Sequence, residues 1–189
     1  MLMKSFRARS ITEVALSTAL IAVSAMISIP FPVPFTLQVF GVAFALFYLG
    51  GVRGSIAVCL YIFIGAFGIP VFSGFSGGFG RLFDAGGGFI WGFLIMSLVY
   101  LLLEYLLAGR RWGRIVAAFA SLPLFYLMGS LWYASIYTDG SLLGYIFSLI
   151  ITVAPFILPD AAKICLAYTI SERVCRIVQK KPHKTQKND

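Results

Sequence analysis

Two residues carry chemistry that the rest of this apolar chain does not invite. Asp160 and Lys163 stand in the stretch "APFILPDAAKICLA", Ala154 to Ala167, directly after Pro155 and Pro159. A charged side chain at the centre of a bilayer costs about 2.5–3.5 kcal/mol on insertion scales. Spacing i, i+3 puts both groups on one helix face. They form either a self-neutralising structural ion pair or a ligand site, and their position favours the ligand site. Pro159 suits a first helical turn, so the pair is expected at the start of a last membrane span, at its outward end. Free backbone N–H groups there attract anions. Lys163 would dock a small carboxylate, and Asp160 would accept from ligand N–H groups.

Other chemistry is thin. His183 is the only histidine and lies in the polar tail, which argues against a histidine base and against any metal or cofactor site. Cys59, Cys165 and Cys175 show no CxxC spacing and read as small buried hydrophobes. "GFSGGFG" lacks the lysine and Ser/Thr of a phosphate-binding P-loop. A membrane hydrolase would need a nucleophile–base pair or metal ligands, and no His, Cys or second carboxylate accompanies Asp160. The chain therefore does not read as an enzyme. Glu13 is expected at the start of the first span, and Glu104 near the end of the fourth, pairing with Arg110 and Arg111 or reaching water.

The elements that position the pair follow from composition. Of 189 residues, 60% are hydrophobic and 12% charged, with a mean hydropathy of +0.93. A soluble domain of this length carries far more charge. The chain reads as one all-α polytopic membrane domain over 1–178, followed by a disordered basic tail, 179–189, suited to anionic lipid. No small-residue cleavage site follows "MLMKSFRARS", so the first apolar segment is expected to be retained. Apolar segments fall at roughly 11–29, 36–50, 54–70, 88–108, 115–137 and 141–177. A span needs about 20 residues, and prolines interrupt helices. The last segment is therefore expected to divide into a short re-entrant or interfacial helix, 141–154, and a span from about 159 to 177. That makes six spans.

Orientation follows from the basic residues. With the N-terminus in the cytoplasm, 13 of the 15 Lys and Arg lie inside, as the positive-inside rule requires. Both termini are then cytoplasmic. The net charge of +8 needs no nucleic acid, because the charges are scattered over turns and tail. The outward connections, "SIPFPVPFTLQVF", "GIPVFSGFSGGFGRLFDAGGGFIWGF" and "YTDGSLLGYIFSLIITVAPFILPD", are rich in Pro, Gly and Phe. Irregular backbone at membrane depth is tolerated only against protein or a cavity. The binding site is therefore expected at the extracellular face.

These motifs together resemble the BioY family, the biotin-binding membrane subunits (S components) of energy-coupling factor (ECF) transporters. The resemblance runs from about Thr12 to Arg173 and rests on "PFTLQVF" (34–40), "GIPVFSGFSGGFG" (68–80), "GGGFIWGF" (86–93) and "PFILPDAAK" (155–163). Where the family would carry a GPTGGY-like stretch, this chain reads "DAGGGF", Asp84 to Phe89. The resemblance implies high-affinity biotin uptake across a prokaryotic plasma membrane, with two cytoplasmic ATPase subunits and one transmembrane coupling subunit as partners. It implies a substrate site of Asp160, Lys163, Phe35, Thr36, Gln38, Phe72, Gly74, Gly78, Gly87, Gly88 and Phe89. Asp160 would take the ureido ring of biotin and Lys163 its carboxylate. Ala15 and Ala19, an AxxxA pair in the first span, would face the coupling partner, since small residues let helices approach. Two rivals are a subunit of the same architecture for another small ligand and a purely structural membrane subunit.

The orientation is testable by cysteine labelling from outside the cell. Position 139 is expected to label and position 112 to stay protected; the reverse pattern contradicts the orientation.

Overall fold

The computed structural model describes residues 2–30, 33–110, 112–138 and 141–179. Six α-helices are present among them: α1 (Leu2–Met26), α2 (Gln38–Leu49), α3 (Gly51–Ala66), α4 (Gly87–Leu106), α5 (Gly113–Tyr137) and α6 (Leu142–Gln179). Apolar stretches within α1, α4, α5 and α6 are long enough to cross a membrane, while α2 and α3 have 12 and 16 residues. A two-residue antiparallel ladder, β1 (Ser28–Ile29) with β2 (Phe35–Thr36), joins α1 to α2. The first apolar segment accordingly ends as helix at Met26 rather than at 29.

The short helix α2 is the centre of the bundle. Val42, Ala43, Ala45, Leu46 and Phe47 are fully buried, with α1, α3 and α6 packed around them. A helix apolar on all sides belongs in a core. Gly50 alone connects α2 to α3, with φ +78, a conformation that glycine adopts without steric cost. Pairing of α4 with α5 is the most extensive in the molecule. It depends on small residues: a Cβ at Gly88 would overlap Trp132, and one at Gly129 would overlap the Phe89 ring. Outward faces carry exposed Leu16, Val23, Phe63, Leu98, Leu102, Leu127 and Leu158, which is the surface of a membrane protein rather than of a soluble one.

Three expectations need correction. The segment 142–179 is one continuous helix of 38 residues with Pro155 and Pro159 inside it, not a re-entrant helix plus a span. Two prolines forfeit two backbone hydrogen bonds. Two new helix ends would orphan four N–H and four C=O groups in apolar surroundings, so continuing the helix is the cheaper solution. Asp160 and Lys163 thus lie in mid-helix, and no free helix N-terminus stands beside them. The cysteines are not buried: Cys59 and Cys165 are exposed and Cys175 half-buried. Cys59 and Cys165 sit on outward faces, where apolar surroundings make burial inside the protein unnecessary, and Cys175 lies at the charged end of the bundle. Finally, Glu104 does not pair with Arg110. It accepts from the Gly51 N–H at 2.6 Å and the Tyr100 hydroxyl at 3.4 Å, and lies 3.9 Å from Arg114. Arg111, Asp139, His183 and the tail from Lys180 lie outside the described residues.

Arg114 extends that cluster to Glu172 at 3.4 Å and to the Phe47 carbonyl. Arg53 and Arg9 meet Glu13 at 3.3 Å and 2.9 Å. The α2–α3 turn, the α4–α5 turn, the start of α1 and the end of α6 therefore share one charged end of the bundle. The ladder and the glycine-rich stretch 68–86 sit at the other.

The α4–α5 contact yields a stability test. Gly88→Val is expected to destabilise the purified protein by about 1–3 kcal/mol, the range for overpacking, with or without ligand. Gly80→Ala meets nothing within 4 Å and should leave the melting temperature unchanged. Equal melting of the two variants would contradict close packing at Gly88.

Candidate ligand-binding site

The polar cluster is built on three elements. From α6, Lys163 Nζ donates to Asp160 Oδ1 at 2.7 Å. From α5, the Tyr126 hydroxyl donates to Asp160 Oδ2 at 2.8 Å. From β2, the Thr36 carbonyl accepts from Lys163 Nζ at 2.7 Å. Asp160 and Lys163 are 2% and 7% exposed, so the charges stand almost out of solvent. Phe35 lies beneath Lys163, with Nζ 4.1 Å from its ring centroid, and stacks on Phe156 of α6 at 5.4 Å. A cation over an aromatic face is stabilised by the ring quadrupole.

Beside this cluster is a cavity of about 420 Å³, lined by residues of α2 to α6, the stretch around β2 and the glycine-rich stretch. That volume falls in the range of small-molecule pockets, which are mostly apolar with a few placed polar groups. Phe72, Phe89, Phe93, Phe125 and Phe156 supply apolar wall. Gln38 and Tyr61 supply a second polar pair, Gln38 Nε2 donating to the Tyr61 hydroxyl at 3.0 Å. Also in the lining, Arg81 pairs with Asp84. Their side chains are 45% and 32% exposed, which marks this side as the mouth. Among the described residues, no group of three or more His, Cys, Asp or Glu could hold a metal ion.

The glycine-rich stretch forms the mouth by folding back on α3. Phe72 and Ser76 exchange backbone hydrogen bonds at 2.9 and 3.3 Å, a tight turn that carries Gly74 at φ +71 and Phe75 at φ +53. A positive φ is uncommon for a non-glycine residue. Gly78 N–H returns to the Gly65 carbonyl at 2.7 Å. This turn seats the Phe72 ring against Gly65 and edge-on to Tyr61 at 5.5 Å. The Trp91 indole donates to the Leu82 carbonyl and the Trp132 indole to the Asp84 carbonyl, which ties the mouth to α4 and α5.

Of the residues singled out in the sequence, Asp160, Lys163, Thr36, Gln38, Phe72 and Phe89 line the cavity. Phe35 stands behind Lys163. Gly74 and Gly78 shape the turn below Phe72. Gly87 and Gly88 pack against the Leu82 carbonyl and Trp132, whereas their neighbour Gly86 reaches the lining. Ala15 and Ala19 are exposed on α1, on the outside of the bundle. Sequence reasoning did not single out Tyr126, Tyr61, Arg81 or Asp84 for the site. The available signal for the tyrosines was a hydroxyl inside an apolar span, which must find a partner when buried.

A bundle of apolar helices with a buried acid–base pair in the wall of a small-molecule cavity defines a membrane-embedded binding protein. The profile of the BioY family matches residues 2–180, and the chain belongs to that family. It is 38% identical over 169 residues to a probable biotin transporter BioY from Pyrococcus horikoshii, covering 89% of this chain and 97% of that one. It is 40% identical over 122 residues to the biotin transporter BioY of Thermotoga maritima, covering 64% and 72%. The fold matches the crystal structure at 2.1 Å of the S-component for biotin from an ECF-type ABC transporter. That match has a TM-score of 0.78 and 24% identity, over 91% of this chain and 93% of that one.

The cluster predicts an order of stabilities. Lys163→Met leaves Asp160 as an uncompensated buried charge and is expected to destabilise by about 3–5 kcal/mol. Replacing both partners, Asp160→Asn with Lys163→Met, should be milder than that single change. Thermal unfolding in detergent reads both; a double variant less stable than the single would contradict the coupling.

Proposed function

We propose that this chain is the biotin-capturing S component of an ECF-type uptake transporter. It takes biotin from outside the cell across a multi-pass span of the plasma membrane. Two cytoplasmic ATPase subunits and a transmembrane coupling subunit then drive delivery inward, and Ala15 and Ala19 face the coupling subunit. Both termini and the charged end of the bundle lie in the cytoplasm, as the bias of Lys and Arg supports. The mouth between Arg81, Asp84 and Phe72 faces out.

One observation carries the ligand assignment. Asp160 Oδ1 and Lys163 Nζ stand 2.7 Å apart in the cavity wall, an acceptor beside a donor. The ureido ring of biotin offers the complement, an N–H beside a C=O. Each carboxylate oxygen has two acceptor positions and an ammonium three donors. Lys163 uses two of its three, on Asp160 and the Thr36 carbonyl. The third N–H of Lys163, whose Nζ lies over the Phe35 ring, turns to the ureido oxygen when biotin binds, while Asp160 accepts from a ureido N–H. Tyr126 orients Asp160 for that contact. The apolar thioether ring and chain lie among Phe72, Phe89, Phe93 and Phe125.

The carboxylate goes to the mouth. A charge costs least where water still reaches it, and Arg81 is the half-exposed cation there. Its Nε and Nη1 already donate to Ser76 and Asp84, which leaves Nη2 for the ligand carboxylate. This assignment differs from the expectation from the sequence, which puts the carboxylate on Lys163.

Biotin titration of the purified protein tests both ends. Asp160→Asn and Lys163→Met should each weaken binding roughly tenfold or more, a decade per 1.4 kcal/mol. Biotin amide, which lacks the carboxylate, should bind the wild type more weakly than biotin does. It should bind Arg81→Gln about as well as free biotin does. An amide that discriminates Lys163→Met in this way, but not Arg81→Gln, returns the carboxylate to Lys163.

A further inference from the structure

At the charged end, away from the ligand cavity, a second cleft of about 250 Å³ opens between α1, α2, α3 and α6, lined by Arg9, Ser10, Glu13, Tyr48, Arg53 and Cys175 among others. Its charges do not balance. Both arginines lean on one carboxylate: Arg9 Nε meets Glu13 Oε1 at 2.9 Å and Arg53 Nη1 meets Glu13 Oε2 at 3.3 Å. Arg53 Nε is committed to the Leu49 carbonyl at 3.1 Å. The terminal nitrogens of Arg9 and Nη2 of Arg53 meet no acceptor among the described residues. One net positive charge and several N–H donors therefore border a cleft that Ser10 and Tyr48, the latter hydrogen-bonded to Glu13, also line.

We propose that this cleft binds a phosphate group, supplied by an anionic phospholipid headgroup or by free phosphate. Guanidinium forks match phosphate oxygens bidentately. A single carboxylate holds the two forks in place without neutralising both. The surroundings suit a lipid. Ile11 on α1, Val52 and Ile56 on α3 and Ile177 on α6 are 69%, 61%, 47% and 65% exposed, apolar surface along which acyl chains lie. Basic residues at a membrane surface attract anionic headgroups. A lipid held there would join the start of α1 to α3 and α6, elements that the ligand cavity does not join at this end.

The test uses the full chain, delipidated in neutral detergent and offered phosphatidylglycerol or phosphatidylcholine, with bound lipid read by native mass spectrometry. Wild type should retain phosphatidylglycerol in excess. Arg9→Gln with Arg53→Gln should lower that retention roughly tenfold while keeping the wild-type response to the cavity ligand, since neither residue lines the main cavity. Arg9→Gln alone, at a side chain 56% exposed, is the milder change and should move the same way. Arg110→Gln with Arg173→Gln removes equal charge at the same end outside the cleft and should change little. Inorganic phosphate distinguishes the sources. If it raises the melting temperature of wild type but not of the Arg9/Arg53 variant, and phosphatidylglycerol does not bind, the site takes free phosphate. If the lipid binds and phosphate does not displace it, the site takes the headgroup. Equal loss of lipid in the two double variants, or no dependence of either phosphate source on Arg9 and Arg53, overturns the proposal.

Discussion

A buried acid and base 2.7 Å apart constrain everything around them. Removed from water, each ion would cost several kcal/mol on its own, so the fold must supply partners that offset that cost. Tyr126 comes from α5 and the Thr36 carbonyl from β2, while Phe35 closes the face of the ammonium. Two segments far apart in sequence, α5 and β2, are thereby fixed against α6. The cavity beside the cluster follows from this: aromatic rings fill the space around the ions, leaving the ions' unused hydrogen-bonding positions as the polar floor of an otherwise apolar pocket.

The bundle divides its charges by end. One end is closed by Glu104, Arg114 and Glu172, and by Arg9, Glu13 and Arg53, which lock turns to helix ends. The other end has few ion pairs and builds its mouth from backbone turns, indole hydrogen bonds and the Arg81–Asp84 pair. Short helices make this possible. Because α2 and α3 fall short of a full membrane crossing, room remains at one end for the ladder and the glycine-rich stretch. Their irregular backbone is satisfied internally and against the cavity, as membrane depth demands.

Much of this could be read from the chain. Apolar run lengths located the helices to within a few residues, with the start of α1 the main exception. Asp160 and Lys163 stood out because charge is rare in such a sequence. The helix runs through Pro155 and Pro159 because breaking it would expose eight backbone groups where keeping it loses two hydrogen bonds, a balance that the prolines alone do not reveal. Tyr126, Tyr61 and Arg81 were not legible as site residues: their roles depend on which helix faces meet, and an isolated tyrosine or arginine carries no spacing signal. The glycines were visible as a group, but composition cannot separate one that admits a neighbouring ring, such as Gly65 under Phe72, from one that reaches the cavity, such as Gly86. The ladder at Ser28–Ile29 is too short to leave a period in the sequence.

The central claim is that the Asp160–Lys163 pair is the ligand-contacting floor of the cavity, not merely its support. A structure of the purified chain with biotin bound tests it most directly. The account predicts the ureido group within hydrogen-bond distance, roughly 2.7–3.2 Å, of both Asp160 and Lys163, with the Tyr126–Asp160 contact intact and the carboxylate towards Arg81. A bound ligand whose ring lies elsewhere, with the acid–base pair making no contact to it, would contradict the account and reduce the pair to a structural ion bridge.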